Sequence, residues 1–158
     1  MSIAIGSDKS GFILKEAIKN YLKEMNIAFE DLGTQSMENG VPYFKVASHL
    51  SPMIVSGKFE KAILICGTGA GMSVVANKYK GITAVACESV YSAKMCRSIN
   101  NANVLCMGGW IVAENMGIQM VKAFLETSFL QDLEDWRKTF LTNAEKEVKR
   151  IEDSVYSK

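Results

Sequence analysis

Short apolar runs alternate with amphipathic stretches along most of the chain, and no other feature of the sequence restricts its fold so strongly. Five runs read as strands: "SIAIGS" at 2–7, residues 28–32, residues 62–66, "GITAVAC" at 81–87 and "NVLCMGG" at 103–109. Between them apolar residues return at helical intervals, as Ile13, Leu14, Ala17, Ile18, Tyr21 and Leu22 do within 12–25. Further helices are expected over 43–55, from about 72 to 80, over 89–100 and over 113–126. Pro52 predicts a kink, or a restart at Ser51, because proline lacks an N–H and its ring crowds the preceding turn.

Strand followed by helix, repeated, specifies a parallel sheet covered on both faces, because each right-handed crossover lays a helix against the sheet. The expected fold is α/β, a single doubly wound, Rossmann-like domain with a five-stranded parallel sheet. The 158 residues suffice for one core and are too few for two ordinary domains. Past the last strand unit, Leu133, Trp136, Phe140, Ala144, Val148, Ile151 and Val155 recur at threes and fours in a highly charged segment. They predict a long terminal helix over 130–156 with one apolar stripe, which either packs on its own domain or covers a second subunit. A homodimer is expected, with a tetramer as the larger alternative.

Composition removes several classes of function. A formal charge of +1, with Lys and Arg dispersed, gives no phosphate-backbone footprint, so no nucleic-acid partner is expected. No run reaches the roughly 18 apolar residues of a membrane helix, and "MSIAIGSDKSGF" has an acid and turn residues where a secretory leader needs an apolar stretch. A cytoplasmic protein without a membrane partner is expected. Cys66, Cys87, Cys96 and Cys106 show no CxxC spacing, and His49 is the single histidine, so a metal site is not expected.

The stretch "ILICGTGAGMSVVANK" ends a strand on Cys66 and then places Gly67, Gly69 and Gly71 ahead of a helix. In an open parallel sheet, ligands bind beyond the carboxyl ends of the strands. Backbone N–H groups at a helix start favour a thiolate over a thiol and also hold an oxyanion as its charge develops. If strands one and three are neighbours, as in the flavodoxin-like order, Asp8 of "SDKSG" faces the same crevice as Cys66. This pairing suits removal of a proton beside a carbonyl, although pattern alone leaves a purely structural cysteine equally open. A P-loop is excluded because no lysine stands at the required place, and GxGxxG fails at Met72; Glu88 keeps nucleotide binding as a weak alternative.

Three segments, "GSDKSGFILKEAIKNYL", "ILICGTGAGMSVVANK" and "NNANVLCMGG", resemble the ribose-5-phosphate isomerase B and galactose-6-phosphate isomerase family of sugar-phosphate isomerases. The resemblance runs from residue 2 to about 129. It implies an aldose–ketose isomerase that acts on a small phosphorylated sugar through a cis-enediolate, with no metal or organic cofactor and with active sites between two subunits. By resemblance Cys66 is the catalytic base and Thr68 the hydroxyl that moves protons between the two oxygens. Gly67, Gly69, Gly71, Met72 and Ser73 form the loop whose backbone holds the enediolate. Asp8 and Asn100 bind sugar hydroxyls or carbonyl, Tyr43 faces the substrate, and Lys9 and Arg137 stand near the phosphate.

The chain also departs from the family pattern. Lys9 replaces a phosphate-contacting histidine, and Ile99 replaces the histidine associated with ring opening. Leu133 and Glu134 stand where Arg and His are customary, and Trp110 where an arginine is. These changes leave enolisation intact and alter ring opening and anion binding, which makes a linear tetrulose 4-phosphate, or galactose 6-phosphate, an alternative substrate. From another class, a non-catalytic sugar-phosphate or nucleotide sensor would have no need of the reactive thiol. The bland expectation for Cys87, Cys96 and Cys106 is burial, for His49 solvation, for Arg97 and Lys94 an exposed helix face, and for Trp110 packing.

Overall fold

A computed structural model describes residues 2–157. Its elements run β1 Ile3–Ser7, α1 Phe12–Glu24, β2 Phe29–Asp31, α2 Tyr43–Val55, β3 Lys61–Cys66 and α3 Ala70–Ala76, then β4 Ala84–Ala86, α4 Val90–Asn100, β5 Val104–Gly108, α5 Glu114–Glu126 and α6 Asp135–Tyr156. All five strands are parallel, in the order β2-β1-β3-β5-β4. β1 and β3 are neighbours as expected, but β5 lies between β3 and β4, so the outer pair is reversed from the flavodoxin-like order.

Alternation along the central strands divides the core. Ile63 and Ile65 join Ile3, Ile5, Leu105 and Met107 under α1, α4 and α5, whereas Ala62, Leu64 and Cys66 join Ala4 and Cys106 under α2 and α3. Both faces of the sheet are therefore covered, and every residue of β3 is buried. Each fully buried Ile or Leu here contributes about 1.5–3 kcal/mol relative to an exposed one.

Of the two outcomes expected at Pro52, the restart at Ser51 does not occur. α2 is one continuous helix through this residue. A proline at 52 leaves the carbonyl of Ser48 without its intrahelical donor. The Tyr79 hydroxyl, 31 residues along, approaches that oxygen at 3.4 Å. α3 starts at Ala70 and ends at Ala76, a shorter helix than the 72–80 expected.

One buried ion pair has no sign in the apolar pattern. Lys15 lies on the buried face of α1, fully enclosed, and its Nζ donates to Asp31 Oδ2 at 2.7 Å and to the Thr34 carbonyl. Lys19 Nζ donates to the same carboxylate oxygen at 2.7 Å. Burial pushes the Asp31 carboxyl up, but the two ammonium groups outweigh it and hold the group below its ordinary value. Thr34 Oγ1 in turn accepts the Val41 N–H at 2.9 Å, which ties down the loop that leads to Tyr43.

None of the 22 residues of α6 is buried, and Trp136 and Phe140 are 70% and 63% exposed. It meets the body through polar ties: Asn101 Nδ2 donates to Glu145 Oε1 at 2.6 Å, the Gly81 N–H to Glu152 Oε1 at 2.8 Å, and Lys80 pairs with Asp153 at 2.6 Å.

Candidate active site

Cys66 closes β3 at the carboxyl edge of the sheet and is 4% exposed. Three loops are fastened around it by backbone hydrogen bonds. The Asp8 N–H donates to the Ile65 carbonyl at 3.1 Å, the Gly109 N–H to the Cys66 carbonyl at 2.7 Å, and the Trp110 N–H to the Gly67 carbonyl at 3.0 Å. The ends of β1, β3 and β5 thus form one rigid frame, with Cys66 in register with Gly108.

Gly69 has φ of 78°, in the left-handed region, and a Cβ there would stand 2.9 Å from the Met107 carbonyl carbon. Only glycine meets both demands without strain. The turn it permits aims its own N–H at Cys66 Sγ, 3.2 Å away. One residue earlier, exposed Thr68 accepts the Ala70 N–H on its Oγ1 at 3.3 Å, leaving its hydroxyl hydrogen free to reach outward.

Other site residues gather around this loop. Tyr43 opens α2 and lays its ring against Gly71, where a methyl group would stand 2.9 Å from a ring carbon. Asp8 Oδ1 accepts the Gly11 N–H at 3.0 Å. Burial lifts the Asp8 carboxyl above its ordinary value, against the restraining N–H groups of Gly11 and Ser10. Lys9 is exposed and borders a cavity of about 640 Å³ beside the loop, together with Ser10, Met37, Trp110, Glu114 and Asn115.

Met72 and Ser73 join the loop differently. The Met72 side chain is fully buried in the core under α2 and α3, so only its backbone is available. Ser73 donates its N–H to the Gly69 carbonyl at 3.2 Å and its hydroxyl to the Ala84 carbonyl at 3.0 Å, which makes it a brace between α3 and β4.

Asn100 and Arg137 do not join the others within this chain. Asn100 ends α4 just before β5 begins, and Arg137 lies in the first turn of α6. Asn100 lines a second cavity of about 440 Å³, with Ile99, Asn101, Glu145 and Lys149, at the ends where the strands start.

Trp110 departs from the simple packing expected of it: its indole covers Gly67 on one side and is 74% exposed overall. Arg97 is not on an exposed face either. It donates to the Ala102 carbonyl at 2.5 Å and to the Thr127 carbonyl at 3.4 Å. Lys94 pairs with Asp132 at 2.8 Å. Cys87, Cys96 and Cys106 are buried as expected, and His49 is exposed. The hydrogen bond with Cys96 lowers the Cys87 thiol to about 7 and pushes the Cys96 thiol up. Among the described residues no three His, Cys, Asp or Glu side chains gather as metal ligands, and no helix is long and apolar enough to cross a membrane.

A thiol at a strand end with an N–H facing its sulfur, and an exposed hydroxyl two residues further on, offer the kinds of group that moving a proton between neighbouring carbons requires. Residues 3–139 match the family described as Ribose/Galactose Isomerase, and the chain belongs to it. It is an aldose–ketose isomerase of the sugar-phosphate isomerase class. The chain is 51% identical over 158 residues to a 4-deoxy-4-sulfo-D-erythrose isomerase of Clostridium sp. (strain MSTE9), covering 100% of this chain and 99% of the relative. It is 36% identical over 129 residues to a D-erythrulose-4-phosphate isomerase of Pectobacterium atrosepticum, covering 82% of this chain and 85% of the relative. The ribose-5-phosphate isomerase B of Clostridium thermocellum superimposes with a TM-score of 0.82 at 33% identity, covering 96% of this chain and 99% of that one.

Proposed function

We propose that the protein interconverts a four-carbon aldose and ketose bearing a terminal sulfonate, 4-deoxy-4-sulfo-erythrose and its 2-keto isomer. The observation that carries the reaction type is the Gly69 N–H directed at Cys66 Sγ. The substrate reading is supported by the full-length similarity to an isomerase of that name. A second support is Ile99, which offers no acid or base for opening a ring. A sugar with sulfur on C4 has no C4 hydroxyl and cannot close a furanose.

Cys66, as thiolate, takes the proton from C2 of the aldose, and the electron pair forms the C1–C2 double bond of the cis-enediolate. The Gly69 N–H faces the sulfur, which carries negative charge before the proton arrives and again after it leaves. The Thr68 hydroxyl passes a proton between O1 and O2, and the proton held on sulfur returns to C1 to give the ketose. Asp8 and Tyr43 hold the hydroxyls, and the loop backbone at Gly67, Gly69, Gly71 and Met72 surrounds the charged oxygen.

The site belongs to a homodimer in this reading. Asn100 and Arg137 lie away from Cys66 in their own chain, and a second copy supplies them to it. The exposed apolar stripe of α6 supports the same assembly. Four free cysteines suit the cytosol. The test is a turnover panel of sulfonated tetrose, tetrose 4-phosphate, ribose 5-phosphate and galactose 6-phosphate. The highest kcat/KM on the sulfonate is expected, and a preference for any of the three phosphorylated sugars overturns the substrate reading.

A further inference from the structure

We propose that Trp110 is a specificity-determining residue, whose indole admits a singly charged terminal anion and disfavours a doubly charged one. The inference rests on the active site proposed above and deepens its substrate class.

Position comes first. The Trp110 N–H is fixed on the Gly67 carbonyl at 3.0 Å, and Gly109 is fixed on the carbonyl of Cys66 at 2.7 Å. A methyl group at Gly67 would stand 2.7 Å from two ring carbons of Trp110, so the ring lies directly on the residue that follows the base. Burial does not account for this placement, because 74% of the side chain remains exposed. The indole instead stands as a wall between the thiol loop and the cavity of about 640 Å³ that it borders with Lys9 and Glu114.

Charge decides what such a wall selects. The titratable groups lining the cavity are Lys9 and Glu114, one of each sign, and no arginine lines it. Arg137 from a second copy would bring the balance to one positive charge. A sulfonate carries a single negative charge throughout the physiological range. A phosphate monoester carries about −1.5 to −2 near neutrality, with its second pKa at about 6. Indole provides an apolar face and one N–H donor but no countercharge for the second negative charge. Lys9, Trp110 and Glu114 are exposed in one chain, so it is when a second copy covers the cavity that this charge stays uncompensated.

The experiment measures kcat/KM for the sulfonated tetrulose and for erythrulose 4-phosphate with wild type, Trp110→Arg and Trp110→Phe. Trp110→Arg should move the sulfonate-to-phosphate ratio at least about 10-fold toward phosphate, chiefly through KM, because a guanidinium pairs with the dianion. Trp110→Phe, which keeps an aromatic wall, should hold the ratio within about 3-fold of wild type. The wild-type ratio should also fall as pH drops below about 6, where the phosphate becomes a monoanion; thiol titration affects both substrates and cancels in the ratio. A ratio unmoved by Trp110→Arg, or a wild-type ratio flat across that pH range, overturns the proposal. A wild type that prefers phosphate at neutral pH overturns the sulfonate reading instead, and the change of ratio between variants still judges Trp110.

Discussion

Asn100 ends α4 where the strands of the sheet begin, and Cys66 ends β3 where they finish, so a single chain holds the two residues at opposite ends of its sheet. If both act on one substrate, they act from different chains. Cys66→Ala and Asn100→Ala are each expected to be inactive alone. Mixing the two through an unfolding and refolding cycle should restore about a quarter of wild-type activity, because half of the dimers are mixed and each has one intact site. Light scattering should give a dimer mass for both. A mixture as inactive as its parents would place the whole site within one chain.

Cys66→Ala should reduce turnover by at least about 10²- to 10⁴-fold, the usual worth of a positioned proton-transfer group. The backbone loop is untouched, so calorimetry should still find substrate bound with a dissociation constant close to that of the wild type. Turnover within about tenfold of wild type would assign the proton transfer to another group.

Lys15 and Asp31 should govern acid stability. Asp31 titrates below its ordinary value in the folded chain. Its contribution is therefore fully present above the unfolded carboxylate value of about 3.9 and is lost as pH falls through the lower, folded value. Asp31→Asn leaves the enclosed Lys15 ammonium with only the more exposed Glu16 carboxylate, 3.5 Å away, and should cost up to about 3–5 kcal/mol at neutral pH. Urea midpoints measured from neutral pH into acid should show this loss shrinking as the wild-type carboxylate protonates. A variant equally destabilised at every pH would mean that the charge of Asp31 is not what matters.

Ile99→His should raise turnover of ribose 5-phosphate, a sugar that closes a ring, by up to about 10²-fold through acid or base assistance. The linear sulfonated substrate should be nearly unaffected. Wild-type turnover of ribose 5-phosphate at an ordinary isomerase rate, unchanged by the substitution, would assign ring opening to another residue.

Much of the site was legible because its information is local. A buried strand ending in cysteine, followed by three glycines, is visible as a string, and Gly69 occupies the backbone conformation that the string implies. The reversal of β4 and β5 was not legible, since apolar periodicity reports which residues are buried and not which strand lies alongside. That α2 runs on past Pro52 was not legible for the same reason: the donor that approaches Ser48 is Tyr79, from the turn after α3. Lys15 falls between Leu14 and Ile18 on the apolar face, yet a lysine reads as solvated until Asp31, on β2, is seen beside it. Trp110 showed its identity in the sequence, but its contact with Gly67 depends on β3 and β5 lying side by side.

α6 buries none of its residues against its own chain. A nascent chain therefore completes its sheet and both covering layers before its last helix exists, and that helix, once made, meets the body through two hydrogen bonds to its carboxylates and one ion pair. Most helical stability in proteins comes from packing an apolar face, and α6 draws none from its own chain. If α6 covers a second copy, as proposed, its ordering depends on how often one finished body meets another, and the helical content of a dilute sample would track protein concentration.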